Sequence, residues 1–385
     1  MVKLSKLNYN KFVNIVKVLA RFSSWYKIMS EALIIDGSYL EGGGQILRNA
    51  LSLSCILQRP IKVTNIRANR PKPGLSNQHL FGLNLLQSIT GARVKGNHIN
   101  STEVEFYPGD IKSGRYTVDT RTAASVALVL QAALPVLIFG SSNSELDLIG
   151  GTNVGMAPQV DSMTEVLRPN LELFGISFDF DLFKRGYYPR GGGHCKVMVP
   201  PVHSIKAVNL VRFGIVSEVC GWCFVAGRLP LRVAQDMKQA AERELQHVCR
   251  SQPQLEAYKE SPEVARDNGS GMILKAITTE GCTIGSSALG ERQVDGHALG
   301  KTAADELANY LKSEICVDSH VQDQIIIFMA LAHGISRILT TPLTQHTRTA
   351  MHVATLMTGA KFEVEEINNS VILSCHGIGN ENKQM

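Results

Sequence analysis

Ser88-Ile89-Thr90-Gly91-Ala92-Arg93-Val94 reads as a helix end, a glycine stop and the first residues of a strand. The same signals return at Leu356-Met357-Thr358-Gly359-Ala360-Lys361-Phe362 and, more weakly, at Leu173-Phe174-Gly175-Ile176-Ser177-Phe178. Gly91 and Gly175 lie 84 positions apart, and Gly175 and Gly359 lie 184 apart. A repeat with that spacing has three related units, one of which carries about one hundred extra residues.

Apolar spacing lays the units out. The first reads strand 32–37, helix 45–57, strand 61–66, helix 76–89 and strands 92–96 and 102–107. The second reads strand 115–119, helix 122–134, strand 145–149, helix 158–174 and strands near 176–183 and 194–199. The third starts near Val208 to Val211 and resumes with helix 320–332, strand 335–340, helix 346–358 and strands 360–366 and 370–375. Each unit is βαβαββ. The fold class is therefore α/β: three βαβαββ repeat units forming one large domain, 31–211 and 317–385, with a small α/β domain inserted in the third unit at 212–316. The insertion reads strand 215–225, helix 232–249, strands 271–277 and 281–286 and helix 298–313. Between its halves Ser251 to Ser270 is polar and rich in turn residues, as an exposed loop would be.

The 385 residues are 44% hydrophobic and 19% charged, a globular composition with room for a large core. The net charge of +5 is uneven. Residues 1–30 hold six of the 39 bases (Lys3, Lys6, Lys11, Lys17, Arg21, Lys27) and none of the 34 acids, so residues 31–385 carry 33 bases against 34 acids. A broad nucleic-acid-coating surface is excluded, and any such contact must be local. The basic head fits a mitochondrial presequence, but because the folded pattern starts only after Met29 we expect a dispensable extension. It lacks the apolar run of a secretory signal, and no later segment reaches the length of a membrane span. Eight scattered cysteines argue for reduced thiols in an intracellular compartment. Cys220-Gly-Trp-Cys223 lies in an apparent strand, where positions three apart point to opposite faces, and reads as ordinary buried thiols.

The stretch Asp36-Gly-Ser-Tyr-Leu-Glu41-Gly42-Gly43-Gly44-Gln45-Ile46-Leu47-Arg48 joins a strand to a helix through three glycines. Backbone N–H groups at such a helix start favour an anion, so the turn reads as a phosphate cradle with Glu41 as a candidate metal carboxylate. Leu47 stands where the dinucleotide fingerprint needs glycine. Gly296-His-Ala-Leu-Gly300-Lys301-Thr302 falls one residue short of a P-loop and follows no strand directly, so it reads as a plain helix start. Arg67-Ala-Asn-Arg70-Pro-Lys72-Pro-Gly74-Leu-Ser-Asn-Gln78-His79 sets three bases on a loop suited to phosphates. Gly150-Gly151-Thr152-Asn153-Val-Gly155-Met-Ala157-Pro158 is a small-residue loop that lets backbone approach a ligand. Lys184-Arg185-Gly-Tyr187-Tyr188-Pro-Arg190-Gly-Gly-Gly193 mixes bases and aromatics, a combination suited to a nucleic-acid end. Thr344-Gln345-His346-Thr347-Arg348-Thr349 opens a helix, downstream of Asp323-Gln324. With neither a Walker loop nor Lys-x-Asp-Gly present, histidine is the natural nitrogen nucleophile if a nucleotide phosphorus is attacked covalently.

Glu41-Gly-Gly-Gly-Gln-Ile-Leu-Arg48, the Arg67 to His79 loop, Arg185-Gly-Tyr-Tyr-Pro-Arg-Gly-Gly-Gly193 and Gln345-His346-Thr-Arg-Thr together resemble the RNA 3′-terminal phosphate cyclase family, in the same order from about Leu33 to Gly379. That family's fold is three βαβαββ units with a small domain inserted in the third. The resemblance implies ATP-dependent conversion of an RNA 3′-terminal phosphate to a 2′,3′-cyclic phosphodiester through a covalent histidine–AMP and an adenylated RNA end. It implies His346 as nucleophile, and Glu41 as the metal and nucleotide-phosphate carboxylate with Mg2+ or Mn2+. Arg48, Arg67 and Arg70 match phosphate-binding positions, and Gln78, Pro158, Asp323 and Gln324 match other nucleotide-pocket positions. His320 stands where the family usually has tyrosine, which implies altered nucleotide affinity. The implied partners are ATP and RNA 3′-phosphate ends, in the nucleus (nucleoplasm) or else the cytoplasm. The alternative is a non-catalytic branch that acts in ribosome biogenesis (rRNA processing) and lacks the histidine; His346 in its Gln-His-Thr-Arg-Thr setting speaks for the enzyme. A third reading, similarity to enolpyruvyl transferases, rests on fold analogy alone.

Overall fold

The computed structural model describes residues 32–249 and 252–385; the basic extension expected at 1–30 lies outside them. Gly91, Gly175 and Gly359 end helices, as their spacing predicts. Gly91 and Gly359 adopt φ of +65° and +79° and return their N–H groups to the carbonyls of Gln87 and Thr355. Gly175, at φ +81°, bonds to the carbonyl of Glu172. Only glycine takes this left-handed backbone without strain, so each stop is written into the sequence.

Strand β1 (Leu33–Asp36), helix α1 (Gly44–Leu57), β2 (Ile61–Thr64), α2 (Asn77–Thr90), β3 (Arg93–Lys95) and β4 (Val104–Tyr107) come first. They form a sheet of order β1-β2-β4-β3, its first pair parallel and the others antiparallel. Next come β5 (Arg115–Asp119), α3 (Val126–Leu137) and β6 (Ser144–Gly150), followed by a helical run we call α4. That run comprises Val160–Ser162, a π turn at Met163–Leu167, and Arg168–Leu173; β7 (Asp179–Lys184) and β8 (Gly193–Val199) follow it. Their sheet has the order β5-β6-β8-β7.

After the short β9 (Asn209–Leu210) the chain builds a separate sheet. It uses β10 (Val216–Ala226), α5 (Leu231–Leu245), β11 (Gln254–Lys259), β12 (Gly269–Thr278), β13 (Thr283–Leu289) and α6 (Gly296–Lys312), in the order β11-β10-β12-β13. The chain then runs through α7 (Ser319–Gln322), α8 (Ile326–Leu331), β14 (Ile335–Thr340), α9 (Gln345–Thr358), β15 (Lys361–Ile367) and β16 (Ser370–His376). Strand β14 pairs back in parallel with β9, giving β15-β16-β14-β9. Three of the four sheets thus share one strand order.

Two expectations need correction. The segment read as an exposed loop contains β11, which pairs in parallel with β10 from Cys220↔Gln254 to Val225↔Lys259. It is an edge strand with only Leu255 fully buried, so its solvent-facing polar residues hid it. The expected helix 320–332 breaks into α7 and α8 around Asp323 to Ile325.

Helices α1, α2 and α3 bury apolar faces together. Leu47, Leu51, Leu83, Leu86, Val129 and Ala133 are all 2% exposed or less, and each large side chain so buried stabilises the fold by roughly 1.5–3 kcal/mol. Ser52 Oγ donates to the Ala132 carbonyl at 2.8 Å, tying α1 to α3. Among the described residues no helix is long and apolar enough to cross a membrane.

Candidate active site

The site forms where the β1–α1 turn meets the first turn of α9. Asp36 ends β1 by accepting from Ser38 N and Oγ at 3.0 and 2.7 Å, and the turn passes through Leu40 and Gly42 at φ +49° and +59°. Glu41 then folds back over Gly43, where a Cβ would collide with its carboxylate. A Cβ on Gly44 would collide with the His79 ring. Arg70 donates to Glu41 Oε1. On the facing element Thr344 caps α9, its Oγ1 accepting from Thr347 N at 3.1 Å, and His346 follows with a half-exposed side chain.

One chain of contacts joins the parts. Gln45 Nε2 donates to Asp323 Oδ2 at 2.5 Å, so its Oε1 is left to accept from His346 Nδ1 at 2.8 Å. That fixes the imidazole with its proton on Nδ1 and a lone pair on Nε2. Glu41 Oε2 lies 3.2 Å from Nδ1, off the hydrogen-bond direction, and is a buried oxygen with no hydrogen bond among the described residues.

The charges follow from these neighbours. Glu41 raises the His346 pKa above its ordinary 6.5, against burial. The imidazole in turn lowers Glu41, with Arg70 and Arg48 adding to the effect. Burial pushes Asp323 up to about 6 although His346, Arg48 and Gln45 favour its anion. Burial also draws Arg48 down, opposed by Asp323 and Glu41. His79 is pushed down to about 3 by burial and by Arg48 and Arg67, so it is a neutral ring at physiological pH.

Beside this chain opens a cleft lined by Gln45, Arg48 and Asn49 of α1, Pro135 of α3, Met163 and Leu167 of the π turn, and Asp323. Gln324 sits on its wall, accepting from Gln131 Nε2 at 2.7 Å and donating to the His320 carbonyl at 2.6 Å. Of the residues expected from the sequence, Glu41, Arg48, Arg70, Asp323, Gln324 and His346 come together here. Arg67 stands next to them, its guanidinium donating to the Gly74 carbonyl at 2.8 Å. Gln78, in the first turn of α2, and Pro158, just before α4, are half-buried and do not join the chain of contacts. His320 turns instead to Glu306 of α6, with Nε2 2.9 Å from Oε1, and that carboxylate raises its pKa to about 9.

Gln45, the link between Asp323 and His346, is a site residue that the motifs do not single out. Its signal was a polar side chain in the first turn of a helix whose next residues are buried and apolar. In the Lys184 to Gly193 loop, read as suited to a nucleic-acid end, two of the bases and aromatics are turned inward. Arg185 is buried, forked onto Asp161 at 2.7 and 2.8 Å and paired with Glu260 at 2.5 Å, while Tyr187 is also buried. Lys184, Tyr188 and Arg190 of that mixture face solvent. Cys220 and Cys223 lie in β10 with burial raising their thiols to about 11 and about 12, so neither is a thiolate at neutral pH. The near P-loop opens α6, capped by Asp295, which accepts from Ala298 N at 2.7 Å.

Among the described residues no group of three or more His, Cys, Asp or Glu side chains could hold a metal ion. A single carboxylate is nonetheless how proteins hold Mg2+ that is chiefly bound by phosphates, and the orphaned Glu41 Oε2 fits that part. Its neighbours Arg48, Arg67 and Arg70 fit a polyphosphate.

The family model for RNA 3′-terminal phosphate cyclase matches residues 39–364. A protein of Drosophila melanogaster named RNA 3′-terminal phosphate cyclase is 51% identical over 353 residues, 91% of this chain and 98% of its own length. One of the same name from Pyrobaculum aerophilum is 39% identical over 351 residues, 90% of this chain and 99% of its own. Among solved structures, the enolpyruvyl transferase NikO from Streptomyces tendae overlays 91% of this chain and 49% of its own at 9% identity and a TM-score of 0.36, too slight a likeness to bear on function.

Proposed function

The chain belongs to the RNA 3′-terminal phosphate cyclase family, and from that premise we propose that it works through a covalent AMP on His346. It is an enzyme, an RNA 3′-terminal phosphate cyclase. The observation that carries the mechanism is the occupied Nδ1: with its Nδ1–H donated to Gln45 Oε1, His346 offers only Nε2 as a nucleophile.

In the first step Nε2 bonds to the α-phosphorus of ATP and the bond to pyrophosphate breaks. Positive charge then grows on the imidazole, where Glu41 Oε2 at 3.2 Å and the Gln45–Asp323 link stabilise it. Arg48 and Arg70 face the leaving phosphates. A Mg2+ or Mn2+ held through Glu41 would supply charge neutralisation on the pyrophosphate. In the second step an oxygen of the RNA 3′-phosphate bonds to the AMP phosphorus as the N–P bond breaks and its electron pair returns to the ring. Finally the 2′-hydroxyl attacks the 3′-phosphorus, held near it by the ribose. AMP leaves, and a 2′,3′-cyclic phosphodiester remains. The cyclase names of the relatives support this reading over the rRNA-processing alternative.

Incubation with α-labelled ATP and Mn2+, without RNA, is expected to give an acid-labile, alkali-stable protein–AMP adduct that His346→Asn abolishes. An adduct that persists in His346→Asn would refute the nucleophile.

A further inference from the structure

Beyond the residues already assigned, the β1–α1 turn and α9 meet a second time. Tyr39, two residues before Glu41, stacks on His352, six residues after His346, with ring centroids 3.9 Å apart and planes at 23°. The two elements that bring Glu41 to His346 therefore also bring these rings together, about 9 Å further along the α9 axis at 1.5 Å per residue. Tyr39 is 42% exposed and its neighbour Leu40 47%, so an aromatic surface stays open to solvent beside the nucleophile. Arg348, four residues before His352 on α9 and so on the same helix face, is exposed.

We propose that the Tyr39–His352 pair is the platform on which the terminal nucleoside of the RNA stacks during AMP transfer. The inference rests on the His346–AMP reading and adds to it the place of the second substrate. Displacement at phosphorus is in line, so the group that enters comes from the side opposite the group that leaves. In the first step His346 enters opposite pyrophosphate. In the second His346 leaves, and the RNA 3′-phosphate must therefore enter where pyrophosphate had been, along the Glu41–Arg70 arm. The Asp323 cleft lies at the other end of the Asp323–Gln45–His346–Glu41 chain. A 3′-phosphate on the Glu41–Arg70 arm brings its own ribose and base toward Tyr39, which begins that arm. Both rings are flat, and burial lowers the His352 pKa below its ordinary value. Such a surface stacks on any base without reading its identity.

The test uses the full chain and RNA oligomers ending in 3′-phosphate, one series carrying 2-aminopurine as the terminal base. Tyr39→Ala and His352→Ala should raise the KM for RNA at least about fivefold, the low end for loss of one stacked base. They should also relieve the quenching of 2-aminopurine that the wild-type protein produces. Tyr39→Phe should match wild type and Tyr39→Trp should equal or better it. RNA-free formation of the protein–AMP adduct should be unchanged in all four, which separates this platform from the nucleophile: a wild-type protein that forms no adduct refutes His346, not Tyr39. Wild-type RNA KM in both alanine variants, or quenching that survives them, would overturn the platform. So would a fall in adduct formation equal to the fall in RNA turnover, because Tyr39 would then serve the nucleotide or the fold.

Discussion

Glu41 and His346 set each other's charge before any nucleotide arrives. The carboxylate raises the imidazole pKa above 6.5, whereas attack on phosphorus needs the neutral ring. The adenylation rate in single turnovers should therefore rise with pH through a value above 6.5 and level off beyond it. Glu41→Gln removes the anion, so the His346 titration should move to lower pH. The His346 Cε1 proton shift in NMR follows that titration even if the variant turns over slowly, and a midpoint that stays put or climbs would contradict the pairing. At this scale the sequence was legible only in part. Glu41, Arg48, Arg70 and His346 came through the motifs, but the glycines between Glu41 and Gln45 read as room for phosphates. The space over Gly43 and Gly44 is filled by the chain's own Glu41 carboxylate and His79 ring. His79 lies 35 positions from Gly44, and only packing of α2 against α1 brings the two together.

The first turn of α9 must hold His346 still, and its cap does so through side chains. Thr344 Oγ1 accepts from Thr347 N at 3.1 Å, and buried Gln322 accepts from Thr344 N at 3.1 Å and from Thr347 Oγ1 at 2.5 Å. Thr344→Ala should cost about 1 kcal/mol of stability, read from the urea midpoint, and should slow adenylation because the fraying turn is the one that carries the nucleophile. Thr344→Ser keeps the oxygen and should restore both; a rate loss in the serine variant equal to that in alanine would show that the cap does not position His346. The capped starts and glycine ends of α2 and α9 were readable because each depends on a few adjacent residues. The break between α7 and α8, and the π turn in α4, were not. Apolar spacing continues through both, so no adjacent residue signals the change in backbone hydrogen bonding that makes them.

Helix α4 connects the cleft to the inserted sheet. Met163 and Leu167 face the cleft. Glu165 pairs with Lys275 of β12 at 2.8 Å, and Asn170 Nδ2 donates to the Thr283 carbonyl of β13 at 2.9 Å. Gln159 Nε2, just before α4, reaches the Ala288 carbonyl at 3.2 Å. Arg185 closes this seam, forked onto Asp161 at the start of α4, bonded to Glu260 at the end of β11 and lying 4.3 Å over the Phe224 ring. The Asp161 carboxylate is held below its ordinary pKa by Arg185 against the penalty of burial, so its charge depends on that guanidinium. Arg185→Ala leaves both half-buried carboxylates without a counter-charge and should cost about 3–5 kcal/mol, measured by urea unfolding at pH 7. The loss should shrink as pH falls and Asp161 protonates in the variant. Combining Arg185→Ala with Asp161→Asn should cost less than the sum of the single changes by at least about 0.5 kcal/mol, because one substitution removes the charge the other had stranded. Strict additivity, or a loss within the range of an exposed ion pair at about 0–1 kcal/mol, would mean that the seam between α4 and the inserted sheet is held by packing alone.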